Sequence, residues 1–311
     1  MSGTVVVVNP HSAGGKTEKR WPQLRELIHE AFGPFEHRFT DSQAGSATRL
    51  AREALQGGAD LVVAMGGDGT INEVVNGFYD GTRAISPAAS FGVLPAGTGG
   101  DFIKSIGTSK DVRTAAAQLR RATPRAIDLG RLTFTGHDGS KQLRHFVNIA
   151  SFGISGLVDQ LVNRSSKTLG GTATFAMATM RAGLMYKNPA VRLIFDGQPA
   201  REGRIYNVAV ANGRYFGGGM KVAPGAVLDD GVFDVITMGQ FGFTDLLLRG
   251  LDIYSGKHLT HKNVSVHRCK RVEATPVDGA EVLLDVDGEQ PGRLPATFEL
   301  ISGGLKVRAA A

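Results

Sequence analysis

Over residues 1–127, short unbroken apolar runs alternate with amphipathic stretches, the pattern of an open, largely parallel sheet flanked by helices. The runs 4–8, 61–65 and 90–94 read as strands, and the stretches 17–32, 45–56 and 72–79 as helices. In the last of these, Ile71, Val74, Val75 and Phe78 fall at i, i+3, i+4 and i+7, on one helical face. From Asp128 onward the period changes to two, as in 204–211 and 282–286, with turns at Asp196-Gly197, Asp230-Gly231, Asp278-Gly279 and Asp287-Gly288. Residues 128–311 therefore read as a mainly antiparallel β domain, with a last strand near 297–308 expected to pack back toward the first domain. Helical insertions are expected over 155–185 and 244–255. Within the first insertion, the apolar series Phe175, Met177, Met180, Leu184 and Met185 reads as ordinary core, with the lining of an apolar pocket as the alternative.

A chain of 311 residues exceeds the size at which one hydrophobic core stops growing, so two domains with a cleft between them are expected. Its 42 glycines follow no period, which directs attention to tight turns and close backbone approaches. The net charge of +6 suits an anionic partner, either a nucleotide or acidic lipid headgroups. No basic run is interleaved with aromatics, and Arg120-Arg121 sit at the end of a helical pattern where cations are favoured anyway, so nucleic acid is not indicated. Cys269 is the single cysteine, which excludes an intramolecular disulfide and a four-cysteine zinc site and fits a reducing, cytoplasmic setting. The chain enters its first apolar strand without the pattern of a signal peptide, and no run reaches the ~18 apolar residues of a bilayer span. Membrane contact is expected to be peripheral.

Chemistry concentrates where strands end. The segment from Leu61 to Glu73 ends a strand in Gly66-Gly67-Asp68-Gly69-Thr70 and then starts a helix, which gathers main-chain N–H groups and the positive helix end at one point suited to phosphate. Asp68 has the wrong charge for phosphate and makes sense beside a magnesium ion or a reacting hydroxyl; as a plain turn residue it would merely cap the helix. A second such turn, Pro95-Ala96-Gly97-Thr98-Gly99-Gly100-Asp101, follows the strand 90–94 on the expected carboxyl edge of the same sheet. The first strand ends in Asn9-Pro10-His11-Ser12-Ala13-Gly14-Gly15-Lys16, and Thr40 closes the next. These turns fit neither the phosphate-binding loop G-x-x-x-x-G-K-[ST] nor the dinucleotide fingerprint G-x-G-x-x-G.

Taken in order, Asn9-Pro10-His11-Ser12, then Gly66-Gly67-Asp68-Gly69-Thr70-Ile71-Asn72-Glu73, then Gly97-Thr98-Gly99-Gly100-Asp101-Phe102, resemble the diacylglycerol kinase catalytic domain. That domain is shared with sphingosine and ceramide kinases and with soluble bacterial lipid kinases, the branch this chain resembles most. The likeness continues through Ile127-Asp128-Leu129-Gly130, the stretch from Ala223 to Gly231, and Val286-Asp287-Gly288-Glu289. It implies a two-domain lipid kinase with an interdomain cleft, using ATP and Mg2+ to phosphorylate a lipid at the membrane surface, and it suggests a homodimer. It further implies that Asn9, Pro10, His11, Ser12, Ala13, Thr40, Gly66, Gly67, Asp68, Gly69, Thr70, Ile71, Asn72 and Thr98 surround ATP. Glu289 would be the general base, with Asp68 and Asp101, and Asp128 as a further candidate, completing the catalytic network. A structural magnesium would be held at Val227, Asp230 and Val232, through the Asp230 carboxylate and main-chain carbonyls.

The chain departs from that family in having Gly100 where Asn commonly precedes the acid, and Lys104 where Arg often follows it, which keeps a charge but loses the bidentate fork. Two alternatives stand beside the lipid kinase: a kinase of the same superfamily acting on NAD or a sugar phosphate, and a nucleotide- or lipid-binding protein without turnover.

Overall fold

A computed structural model describes residues 3–96, 100–164, 171–241 and 250–309, with the side chains of 163, 164 and 171–176 outside the description. The chain forms two compact units, one of residues up to Leu129 together with those from Ser302, the other Gly130–Ile301.

The first unit contains β1 (Gly3–Val8), α1 (Ser12–Phe32), β2 (Glu36–Phe39), α2 (Ser46–Gln56), β3 (Ala59–Gly66), α3 (Asp68–Gly77), the small hairpin β4 (Tyr79–Asp80) and β5 (Arg83–Ala84), β6 (Ser90–Pro95), α4 (Asp101–Ser105) and α5 (Val112–Arg121). Strands β2, β1, β3 and β6 lie side by side in that order, all parallel. Such strands are covered on both faces and so need unbroken apolar runs, which is why the sequence marks them clearly. Val6, Val8, Val63 and Met65 pack with Trp21, Leu24 and Ile28 of α1 and Ala115, Ala116 and Leu119 of α5. The alternate strand positions face α2 and α3. The chain returns to this unit at its end. Val307 pairs parallel with Phe91, the Tyr79 hydroxyl donates to Gly304 O at 2.6 Å, and the buried Asp128 carboxylate accepts from Gly303 N at 2.9 Å. Asp128 thus spends a carboxylate oxygen on fastening this last segment.

The second unit takes up β7 (Arg125–Gly136) from Gly130 and adds β8 (Lys141–Phe146), β9 (Ile149–Gly153), α6 (Ile154–Arg164), α7 (Gly171–Met185), β10 (Ala190–Phe195), β11 (Arg201–Arg204), β12 (Asn207–Ala211), β13 (Phe233–Met238), β14 (Val264–Cys269), β15 (Arg271–Pro276), β16 (Leu284–Val286) and β17 (Gly292–Val307), the last up to Ile301. One antiparallel sheet has the order β14-β13-β12-β9-β16. The antiparallel strands β11, β10, β15 and β17 form the opposing layer, which the β7–β8 pair extends. The two layers share one core, with Phe152, Val208, Val235 and Leu284 from the first meeting Leu193, Val272, Ala296 and Phe298 from the second. Phe298 is fully buried and lies 5.7 Å from the Phe152 ring and 6.4 Å from the Phe146 ring, centroid to centroid.

Several sequence boundaries shift. The helix expected over 72–79 begins four residues earlier, at Asp68. The strand expected over 204–211 divides into β11 and β12, which belong to different sheets. The insertion over 155–185 is two helices, with 165–170 outside the described residues. In the insertion over 244–255, residues 244–249 lie outside the described residues and a short helix covers Asp252–Ser255. The apolar series in α7 is not core: Met177, Met180, Leu184 and Met185 are exposed, and the side chain of Phe175 lies outside the description. Instead α7 turns the small Ala178 and Ala182 toward Ile154 and Val158 of α6. No described helix is long and apolar enough to cross a membrane.

The position of Phe298 at the ring cluster gives a direct test of the sandwich core. Phe298→Ala should cost about 3–5 kcal/mol, read as a fall in the denaturant midpoint, and a loss below about 1 kcal/mol would contradict the packing described.

Candidate active site

In the first unit β1 is the topological switch point: the chain leaves it for β2 on one side and then crosses to β3 on the other. Ligands of open α/β sheets collect at the carboxyl ends beside such a point. The register sets Val8 opposite Met65 and Gly66 opposite Pro95, so the reversals after β1, β3 and β6 emerge side by side. Side chains then tie them together. Asn9 Nδ2 donates to Thr70 Oγ1 at 3.0 Å, and Gly100 N donates to Asp68 Oδ2 at 3.1 Å.

The glycines of the central turn have different jobs. A Cβ on Gly66 would sit 2.4 Å from Thr70 Oγ1, so Gly66 lets Thr70 fold back against the strand end. A Cβ on Gly67 would meet nothing within 4 Å, although Gly67 is the N-cap residue of a ten-residue helix. Local packing therefore accounts for Gly66 but not for Gly67. Open space over a helix N-terminus is what an approaching anion needs. Gly100 has φ 147°, a conformation that strains any residue with a side chain, so glycine at this departure from the family pattern matches the backbone it occupies.

Other expected ligand residues fall into two groups. His11 is exposed, and Ala13, Gly14 and Gly15 are three successive left-handed residues that carry the chain into α1. Thr40 N bonds to Val8 O at 2.9 Å, which holds Thr40 at the same strand ends, and Gly69 lies in the first turn of α3. Pro10 and Ser12 are buried, and the Ser12 hydroxyl is used inside the loop, bonding to Asn9 O at 2.8 Å and Thr17 Oγ1 at 2.6 Å. Ile71 and Asn72 are buried, and Asn72 accepts from Asn76 Nδ2 at 3.2 Å, so only their main chains belong to the turn. Thr98 lies outside the described residues. Asp101, buried at the start of α4, pairs with Lys104 Nζ at 3.0 Å, so Lys104 places its charge on this acid. Glu73, the last residue of the central motif, has a scaffold role: its carboxylate accepts from Gly45 N at 3.2 Å and Ala47 N at 2.9 Å and caps α2.

In the second unit, Asp287-Gly288 forms the tight hairpin turn that its sequence predicts, with φ 50° and 88° and reciprocal main-chain bonds between Val286 and Glu289. The Asp287 carboxylate is buried and accepts from three main-chain groups, Val147 N at 3.0 Å, Asn148 N at 3.2 Å and Ile149 N at 2.9 Å. This locks the turn that carries Glu289, whose carboxylate forms an ion pair with Arg144. Behind it lies a pair of buried acids absent from the sequence reading. Asp285 accepts from Ser151 Oγ at 3.1 Å and Gly288 N at 3.0 Å, and it hydrogen-bonds to Asp159 of α6. Burial pushes Asp285 up to about 6. Asp159 is pushed well above the carboxylate range by burial and then by the charge of Asp285. Two carboxyls so placed share a proton. A signal for part of this cluster was present: Asp285, Asp287 and Glu289 repeat with a period of two, opposite the core positions Val282, Leu284 and Val286. Asp159 and Arg144 had no such signal.

The proposed magnesium ligands sit on the loop before β13. Val227 and Asp230 are exposed, Val232 N donates to Asp230 Oδ1 at 3.3 Å, and Arg268 forms an ion pair with Asp230. Beside them the buried Asp234 Oδ2 has no hydrogen-bond partner, and burial raises the proton affinity of this acid. A divalent cation on Asp230 and the neighbouring carbonyls would offset that cost, so the residues fit a cation that competes with Arg268. Among the described residues no three His, Cys, Asp or Glu side chains gather for a metal, which limits a cation here to few carboxylates.

Residues 3–132 match the diacylglycerol kinase catalytic domain, and residues 148–309 match the YegS C-terminal NAD kinase beta sandwich-like domain. The chain belongs to the bacterial diacylglycerol kinase and YegS-like lipid kinase family. It is 28% identical to the diacylglycerol kinase of Bacillus subtilis (strain 168) over 294 residues, 94% of this chain and 91% of that one. It is 32% identical to a protein of Chromohalobacter salexigens named "Probable lipid kinase YegS-like", over 71% of this chain and 68% of that one. Among solved structures it resembles a diacylglycerol kinase from Bacillus anthracis str. Sterne, with TM-score 0.71, 20% identity and coverage of 99% and 97%. Yeast NADH kinase complexed with NADH shares the fold at TM-score 0.54 and 12% identity, over 100% of this chain and 84% of that one. The two expected fold types, α/β followed by antiparallel β, are those of this lipid kinase family.

The buried acid pair sets a pH dependence. Folding raises Asp285 from 3.8 to about 6 and raises Asp159 further, so the folded state binds more protons than the unfolded chain. The stabilisation from protonating this pair is full below about pH 4 and is lost as pH rises through the folded values, beginning near 6. Asp159→Asn/Asp285→Asn should therefore gain stability relative to the parent as pH rises from 4 to 7. A difference that stays constant across that range would contradict the shared proton.

Proposed function

We propose that this lipid kinase is an ATP- and magnesium-dependent enzyme that phosphorylates the hydroxyl of a diacylglycerol-like lipid. The observation that carries the reading is the open position over Gly67, at the start of α3 and beside the Asp68 carboxylate. The helix end and turn amides would cradle the phosphates, with the Asn9–Thr70 and Asp68–Gly100 bonds keeping the adjoining reversals aligned. Magnesium, when bound, would neutralise phosphate charge, and Asp68 is the carboxylate suited to hold it.

On the acceptor side, Glu289 would take the hydroxyl proton as the lipid oxygen bonds to the γ-phosphorus and the bond to the bridging oxygen breaks, leaving ADP and a lipid phosphate. The Asp287 clamp would fix the turn and Arg144 would orient the carboxylate. The names of the Bacillus and Chromohalobacter relatives support a lipid acceptor. An NAD kinase-like activity is the second reading, supported by the likeness to the yeast fold alone.

Asp68→Asn should leave the fold intact and lower phosphoryl transfer by roughly 10² or more, through loss of a metal-holding charge. Glu289→Gln should keep ATP affinity while kcat falls by ~10² to 10⁴. Near-normal turnover in Asp68→Asn would sink the phosphate-turn assignment. A changed KM for lipid with normal kcat in Glu289→Gln would make that residue a binding group and move the base to Asp68 or Asp101.

A further inference from the structure

Helix α7 inverts the usual logic of burial. Its inward side consists of Ala178 at 5% exposure and Ala182 at 0%, while Met177, Met180, Leu184 and Met185 are 61%, 59%, 66% and 58% exposed. At about 100° per residue these four project from one arc of the helix, and Arg181 projects from the same arc. A helix that turns alanines to its neighbour and four large apolar side chains to solvent presents a contiguous apolar face, the mark of a surface made to be covered. The flanking charge has one sign. Residues 160–191 contain Arg164, Lys167, Arg181 and Lys187 and no Asp or Glu, in a chain whose net charge is +6. Arg181 and Lys187 are exposed.

We propose that this face of α7 is the docking surface for a phospholipid bilayer containing anionic lipid. Methionine and leucine enter the boundary between headgroups and acyl chains, where the flexible thioethers adapt to an irregular surface. Arg181 and Lys187 extend along the apolar surface to reach anionic headgroups. The charge argues against a second copy of the chain as the occupant. A two-fold contact through this arc would bring Arg181 toward its own copy inside an apolar interface, with no acid on the helix to neutralise either. The inference concerns a binding surface and does not rest on the identities of the phosphate donor or the catalytic residues.

The test is sedimentation of the full chain with vesicles of phosphatidylcholine alone and of phosphatidylcholine mixed equally with phosphatidylglycerol. The parent should bind the mixed vesicles and release as salt rises. Met180→Ser/Leu184→Ser should weaken that binding by roughly tenfold or more, since the inserted apolar area is removed. Arg181→Glu should weaken it by about tenfold on the mixed vesicles and much less on phosphatidylcholine alone. All three side chains are exposed, so the melting temperature should hold; if the double variant loses its fold, Arg181→Glu carries the test alone. Unchanged vesicle binding by the folded variants would overturn the proposal, as would a parent that binds no vesicles. A parent dimer that becomes monomeric in these variants while vesicle binding persists would also overturn it, in favour of a self-interface. Binding that follows the prediction in a protein that transfers no phosphate upholds the docking face and defeats only the kinase reading.

Discussion

The parallel registration of β1, β3 and β6 brings three chain reversals to one sheet edge, and the bond from Gly100 N to the Asp68 carboxylate fixes two of them to each other. The candidate phosphate site depends on that arrangement. Gly66 makes room for Thr70, Thr70 receives Asn9, and Gly67 stays clear above the helix end. Charge follows the same geometry. A carboxylate at a helix N-terminus is favoured by the dipole, so Asp68 can remain beside a phosphate site whose anion it would otherwise repel.

The second unit uses one residue type in four environments. Asp287 is bound by three main-chain amides, Asp285 and Asp159 are buried against each other, and Glu289 faces Arg144. Environment, rather than residue identity, separates the scaffold acid from the protonated pair and from the candidate base. The clamp on Asp287 also connects fold to chemistry, because it holds the β9 entry and the Glu289 turn with one side chain.

What the sequence made legible was whatever depends on local pattern. The buried parallel strands appear as apolar runs within a residue or two of their observed ends, and Asp287-Gly288 announces its hairpin. The start of α3 was misjudged because the glycine turn conceals that the helix begins on Asp68. What stayed hidden depends on distant partners. Glu73 reads as a motif residue yet caps another helix, Ser12 spends its hydroxyl inside its loop, and Asp159 gains its character only by meeting Asp285 from 126 positions away. The α7 stripe was misread for a related reason: periodicity shows that apolar residues share a face but not whether anything lies against it.

Transfer of label from γ-labelled ATP, with magnesium, to a panel holding diacylglycerol, a monoacylglycerol, a sphingoid base, phosphatidylglycerol and NAD addresses the central claim most directly. The account predicts labelled phosphate on a lipid hydroxyl, most strongly on diacylglycerol, and only when magnesium is present. Label on NAD alone, or on none of the acceptors, would contradict it.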